Sequence, residues 1–142
     1  EIPHNTGAAG RLALATGSRL HLIKPLGFSL DEKHVRRTGL DYWAKVDLHV
    51  WDSLEELKQA AAPGAQFWYL STKAPRSHWD AVFHAGDYLV FGPESRGLPE
   101  SMLREQADTA LTIPMPGEGA RSLNLSTAVA VVLYEGLRQT GI

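Results

Sequence analysis

The sequence predicts an α/β fold, a mostly parallel sheet with helices on both faces. Three observations lead there. Strand-like apolar runs alternate with helix-forming stretches from one end of the chain to the other. No repeat, low-complexity tract or linker divides the 142 residues, a length that suits one domain with a sizeable core. The last helix-forming stretch is apolar nearly all round, as a helix buried or held at an interface must be.

The elements follow in order. Residues Thr6 to Thr16 are rich in Ala and Leu, with Asn5 or Thr6 as a cap and Gly17 as a stop, and predict a helix. Arg19 to Lys24 reads as a strand ended by Pro25. Leu30 opens a short charged helix capped by Asp31. Val46 to Trp51 alternates apolar and polar residues, the period of a half-buried strand. Asp52 or Ser53 caps a helix reaching Ala61, with Glu55 and Glu56 favourably placed in its first turn. Gln66 to Leu70 and Tyr88 to Phe91 are strands, and Pro99 to Gln106 is a helix with proline in its first turn. Ala110 to Ile113 is a last short strand. Leu125 to Arg138 is the longest helix, and its run from Ala128 to Leu133 favours a subunit interface over deep burial in so small a domain.

Composition excludes several classes. With no cysteine there is neither a disulfide framework nor a thiolate metal site. The six histidines show no HxxxH spacing, so no metal is expected. No apolar run approaches the roughly 20 residues that span a bilayer, and no signal peptide opens the chain, so a cytoplasmic protein without a membrane partner is expected. A net charge of −2 argues against nonspecific coating of nucleic acid. Any polyanion must meet a local basic patch.

Three loops are candidates for chemistry. In the first, Pro3 to Arg11, exposed N–H groups and the Arg11 guanidinium suit a phosphate. A capped helix with a solvated arginine fits equally well. The second, Phe91-Gly92-Pro93-Glu94-Ser95-Arg96-Gly97-Leu98-Pro99, follows an apolar strand, where ligands of α/β sheets collect. Gly92 and Gly97 allow close backbone approach and Glu94 offers a carboxylate. Its plainer reading is a stiff connector. The third runs from Ile113-Pro114-Met115 to Ser122-Leu123-Asn124-Leu125-Ser126. Its Gly117-Glu118-Gly119 is no dinucleotide fingerprint, because the final Gly is missing and prolines interrupt the turn. Its Ser and Asn residues are also common caps. No Walker A loop and no GxSxG elbow occurs.

Together the loops resemble the three motifs of the SPOUT (trefoil-knotted) RNA 2′-O-methyltransferases. The first is Asn5 followed by Arg11, the second Phe91 to Glu94 with Gly97 to Pro99, and the third Ile113 to Met115 with Ser122 to Ser126. Lys24 to Phe28 and Arg36 to Trp43 add likeness to the small tRNA (cytidine/uridine-34)-2′-O-methyltransferases, the TrmL or YibK-like group. This resemblance covers nearly the whole chain. It implies one methyltransferase domain over residues 1–142 with a deep C-terminal trefoil knot, a homodimer, S-adenosyl-L-methionine as cofactor, and the wobble nucleotide of the tRNA anticodon loop as target. Family members open with a short apolar strand, so such a strand is expected ahead of Glu1.

The resemblance also implies site residues. Leu70, Ser71, Phe91, Gly92, Ile113, Met115, Ser122 and Leu123 would line the cofactor pocket, with Thr72 and Gly97 as neighbours. Asn5, Arg11, Glu94, Ser122 and Asn124 would be the catalytic set, with Arg11 as general base. The firmness with which a guanidinium holds its proton makes that role awkward. Gripping the adjacent phosphate and stabilising the forming alkoxide suits Arg11 better, with Glu94 or a phosphate oxygen taking the proton. Arg11, Lys33, Arg36 and Arg37 are the RNA-binding candidates, His34, Lys24 and Arg19 lying near them in sequence; a charge run is otherwise a solvated face. Tyr42 and Trp43 are base-stacking candidates, or else core or dimer residues. The competing readings are methylation of another tRNA position or of rRNA, and a catalytically silent RNA- or cofactor-binding dimer.

Overall fold

The computed structural model describes residues 4–26 and 42–141. Two compact units, Glu1–Ala61 and Ala62–Ile142, are described separately. The expected helix from Leu30 lies outside the described residues, as do Lys33, Arg36 and Arg37.

In the first unit, helix α1 (His4–Thr16) already contains Asn5 and Thr6, so neither is its cap. N–H groups of a first turn lack intrahelical partners wherever the helix begins, so a polar residue there resembles a cap in sequence. Gly17 ends α1 at φ +69°, with Gly17 N–H bonded to Leu14 O and Ser18 N–H to Ala13 O. The buried face of α1 is Gly7, Gly10 and Ala13. These small residues let the 3-10 turn Trp43–Lys45 lie against the helix. Tyr42 donates its hydroxyl to Gly7 O at 2.9 Å, and a Cβ on Gly10 would stand 2.5 Å from the Trp43 ring. Trp43 is therefore a core residue, packed with Val46, Leu20 and Leu48, rather than a platform for a base.

Strands β1 (Leu20–Ile23) and β2 (Leu48–Trp51) pair in parallel, Leu20 opposite Leu48. Register partners His21 and His49 stack at 5.2 Å, and Trp51 Nε1 donates to His21 Nδ1 at 2.9 Å. That acceptor role suits a neutral ring, and burial, followed by the nearby His49 and Arg19, lowers the His21 pKa. Ser53 caps α2 (Leu54–Ala60), its hydroxyl accepting from Glu56 N–H, and Leu57 is the buried residue of this helix.

In the second unit, β3 (Phe67–Leu70), β4 (Tyr88–Phe91) and β5 (Ala110–Leu111) form a parallel sheet in the order β4-β3-β5. The central strand buries Trp68, Tyr69 and Leu70 in succession, because helices and neighbours leave it no solvent face. Trp68, Leu70, Ala81, Phe83, Leu111 and Val132 form the core. Asp87, just before β4, accepts from Gln66 N–H, His84 N–H and the Trp68 indole at 2.9 to 3.2 Å, so its shielded carboxylate is well satisfied. The predicted last strand is shorter than expected: beyond Leu111 only Thr112 bridges Ser77, and Pro114 has no N–H to continue the ladder. Pro99 caps α3 (Glu100–Glu105) instead of lying within it. Its fixed φ suits either position.

Helix α4 (Leu125–Thr140) begins at Asn124, whose side chain accepts from Thr127 N–H. One side is buried at Val132, while Val131 and Tyr134 remain 38% and 48% exposed. Gln139 binds the 81–83 loop through Ala81 O and Phe83 N–H, and also donates to Glu135. Bonds from Arg138 and Gln139 lower the Glu135 pKa from 4.5 to about 2. An unfolded chain takes up this proton near 4.5, so the stabilisation is complete above that pH and disappears as pH falls toward 2. Thermal unfolding of wild type and Glu135→Gln should therefore differ most at neutral pH and converge by about pH 2. A constant difference across that range would show that Glu135 contributes nothing through its charge.

Candidate active site

The site lies in the second unit, where three parallel strands end together. Leu70 closes β3 and pairs in register with Phe91 at the end of β4 and Leu111 at the end of β5. Side chains and peptide groups leaving such strand ends converge on one crevice. A cavity of about 300 Å³ sits there, at the small end of ligand sites.

Three segments wall it. The first leaves β3 at Ser71, whose N–H bonds Leu111 O, and returns to the same partner strand at Arg76 and His78, which bond Thr112. Ser71, Thr72 and Lys73 from this loop line the cavity. The second leaves β4 at Gly92 and turns tightly, Gly97 N–H bonding Pro93 O at 2.8 Å. Gly97 takes φ +69°, which glycine alone adopts freely. A Cβ on Gly92 would overlap the main chain of Gly97 and Leu98, so the loop closes on itself only with glycine there. The third runs from Thr112 through Met115 and returns at Arg121, Ser122 and Leu123, with Leu125 and Ala128 added from α4.

Every residue expected at a cofactor lines this cavity: Leu70, Ser71, Phe91, Gly92, Gly97, Ile113, Met115, Ser122 and Leu123. Thr72 and Glu94 do so as well. Asn124 is not among the lining residues; its amide oxygen accepts from Thr127 N–H and the Ser126 hydroxyl. Asn5 and Arg11 belong to α1 of the first unit, where Arg11 is exposed. Sequence reasoning missed Lys73, Arg96 and Arg121 in the wall. The last two lie inside the quoted loops, but a single arginine in a polar loop carries no distinguishing pattern. Lys73 pairs with Glu100 at 2.8 Å, and this bond and charge lower the Glu100 pKa.

The wall fits a flat heteroaromatic group joined to a polar tail. Leu70, Phe91 and Ile113 make an apolar slot, Gly92 lets the 92–98 loop fold back against it, and Ser71 and Ser122 supply hydroxyls. Among the described residues no cluster of three or more His, Asp or Glu side chains could hold a metal. None of the helices there is long and apolar enough to cross a membrane.

Comparison with known proteins agrees in sequence and in shape. Residues 1–134 match the model of the SpoU rRNA Methylase family. The tRNA (cytidine(34)-2′-O)-methyltransferase of Saccharophagus degradans is 50% identical over 145 residues, covering 99% of this chain and 91% of that protein. A solved structure bearing on the 2-OH methylation of C/U34 on tRNA superposes with a TM-score of 0.87 at 50% identity, over 98% of this chain and 90% of that one. The SpoU methyltransferase AviRb of Streptomyces viridochromogenes, solved with the cofactor AdoMet, gives a TM-score of 0.75 at 26% identity, over 95% of this chain and 55% of that one.

Proposed function

The chain belongs to the SpoU methylase family, and from that premise we propose that it transfers a methyl group from S-adenosylmethionine to the ribose 2′-hydroxyl of the wobble nucleotide, position 34, of tRNA. Its α/β fold is that of the trefoil-knotted methyltransferases. One observation carries the reading: the second and third motifs, on segments that leave β4 and β5 of the second unit, meet the end of β3 around a single cavity.

When bound, S-adenosylmethionine supplies a methyl group on a sulfonium, ready for in-line displacement. The chain's own residues do the rest. Leu70, Phe91 and Ile113 hold the adenine and exclude water, while Ser71, Met115, Ser122 and Leu123 orient the remainder of the ligand. Gly97 shapes the loop around it. Glu94 accepts the proton of the ribose hydroxyl, which is a weak nucleophile until deprotonated. Arg11 grips the neighbouring phosphate and stabilises the developing alkoxide, with Asn5 orienting the ribose. Asn124 acts through Ser122, by fixing where α4 begins.

The reading extends to partners. Arg36, Arg37 and Lys33 are assigned to the tRNA. Both units form one methyltransferase domain, a reading supported by the family match through residue 134. The protein works in the cytoplasm as a homodimer; the uncovered Val131 and Tyr134 on α4 support a partner there.

Labelled S-adenosylmethionine and bulk tRNA test the activity. Label should appear in tRNA, map to nucleotide 34 by mass spectrometry, and vanish with a transcript that lacks the 2′-hydroxyl there. Label at another nucleotide, or only in ribosomal RNA, would move the target; no label at all would leave a binding protein.

A further inference from the structure

The cavity is far more cationic than the chain around it. Lys73, Arg96 and Arg121 line it against one carboxylate, Glu94, in a protein of net charge −2. The three cations are not equivalent. Lys73 is neutralised by Glu100, and elsewhere in the unit Arg76 bonds the carbonyls of Asp80 and Asp108 while Arg138 pairs with Glu135. Arg96 and Arg121 are exposed, and among the described residues their guanidinium groups have no hydrogen bond or ion pair. They stand on different walls. Arg96 rides the tight turn closed by Gly97 and Pro93, and Arg121 follows Gly119 at φ +92° in the third segment.

Resting on the function proposed above, we propose that Arg96 and Arg121 grip the ribose-phosphate backbone flanking the target nucleotide. An acidic protein that takes an RNA strand needs a local positive surface, and placing it in the wall of the methyl-donor cavity orients the strand as well as attracting it. A planar guanidinium matches phosphate oxygens in pairs. The cofactor itself is a poorer match for both groups. It has a single carboxylate, accompanied by an ammonium and a sulfonium, and one donor reaching inward would satisfy it. Two exposed guanidiniums on different segments of the wall suit successive phosphates of a single strand.

The test uses the full chain and unmodified tRNA. Dissociation constants for tRNA are measured between 50 and 200 mM salt for wild type, Arg96→Gln, Arg121→Gln and the double variant, with cofactor affinity measured by calorimetry. Each substitution should weaken tRNA binding about fivefold at low salt. Each should also flatten the slope of log affinity against log salt by about 0.7, the value for one single-strand phosphate. KM for tRNA should rise with kcat and cofactor affinity nearly unchanged. Arg96→Lys and Arg121→Lys should restore most of the slope, because it counts charges. Arg104→Gln, which removes a similar exposed charge from α3 outside the cavity wall, should leave the slope alone. Wild-type methylation of tRNA together with an unmoved slope in the double variant overturns this assignment alone. Loss confined to cofactor affinity overturns it too, by giving the guanidiniums to the cofactor carboxylate. A wild type that binds cofactor yet methylates no tRNA overturns the function and this inference with it.

Discussion

Gly92→Ala is expected to reduce affinity for S-adenosylmethionine at least 100-fold, about 2.7 kcal/mol, and to lower the melting temperature by roughly 5–10 °C. The added methyl would not meet a side chain that can rotate away. It would overlap the main-chain atoms of Gly97 and Leu98, and these are held by the Gly97 to Pro93 hydrogen bond and by the buried Leu98 side chain. The 92–98 loop must open to admit it, at a cost on the order of overpacking a core, about 1–3 kcal/mol. Opening moves one whole wall of the cavity, so binding should suffer more than stability. Gly117→Ala is the matched comparison: a Cβ there meets nothing within 4 Å, and residue 117 is outside the cavity wall. It should keep wild-type affinity and melting temperature. Calorimetric titration and thermal unfolding of the two variants decide the matter, and a Gly92→Ala protein that binds like wild type would remove the loop from the site.

The parts of this molecule that sequence revealed are those whose cause is local. β3 and β4 were legible because Phe67 to Leu70 and Tyr88 to Phe91 are short apolar runs between turn residues, and a parallel sheet needs such runs. Gly17 and Ser53 were legible because an end of a helix has its own chemistry. What stayed hidden depends on tertiary partners. Whether Trp43 stacks on a base or fills the core is decided by Gly10, far away in the chain. β5 stops after two residues because Thr112 leaves β3 to bridge Ser77, a choice its own sequence does not encode. A knot was beyond physical reading altogether, since threaded chains are rare, and only the likeness of motifs implied it. The site divides in the same way. Its apolar wall is implied by motif, whereas Arg96 and Arg121 are not, because a loop arginine acquires meaning only from the cavity beside it. Asn124 shows the converse: a motif residue whose visible work is to start a helix.

Arg11→Lys is expected to lower kcat about 100-fold while leaving the dissociation constant for S-adenosylmethionine within twofold. The cofactor half of this expectation rests on the proposed division of roles, in which Arg11 meets the RNA and the residues lining the cavity of the second unit hold the cofactor. The catalytic half follows from charge. A guanidinium holds its proton too firmly to act as a base, so the role proposed for it is donating hydrogen bonds to charge that develops during transfer. Its side chain is exposed and unpaired among the described residues, available for that purpose. Lysine keeps the positive charge but loses the planar fork proposed to hold a phosphate oxygen and the nascent alkoxide together. Loss of one such preorganised donor typically costs 10²–10³ in kcat. Since charge is retained, tRNA affinity and its salt dependence should change little, which separates this effect from that expected at Arg96 and Arg121. A proton-accepting arginine predicts a different signature: lysine, with its lower pKa, would restore activity as pH rises toward 10. Single-turnover rates between pH 7 and 10 therefore distinguish the roles. A deficit constant with pH supports electrostatic positioning, and recovery at high pH would return the proton to Arg11.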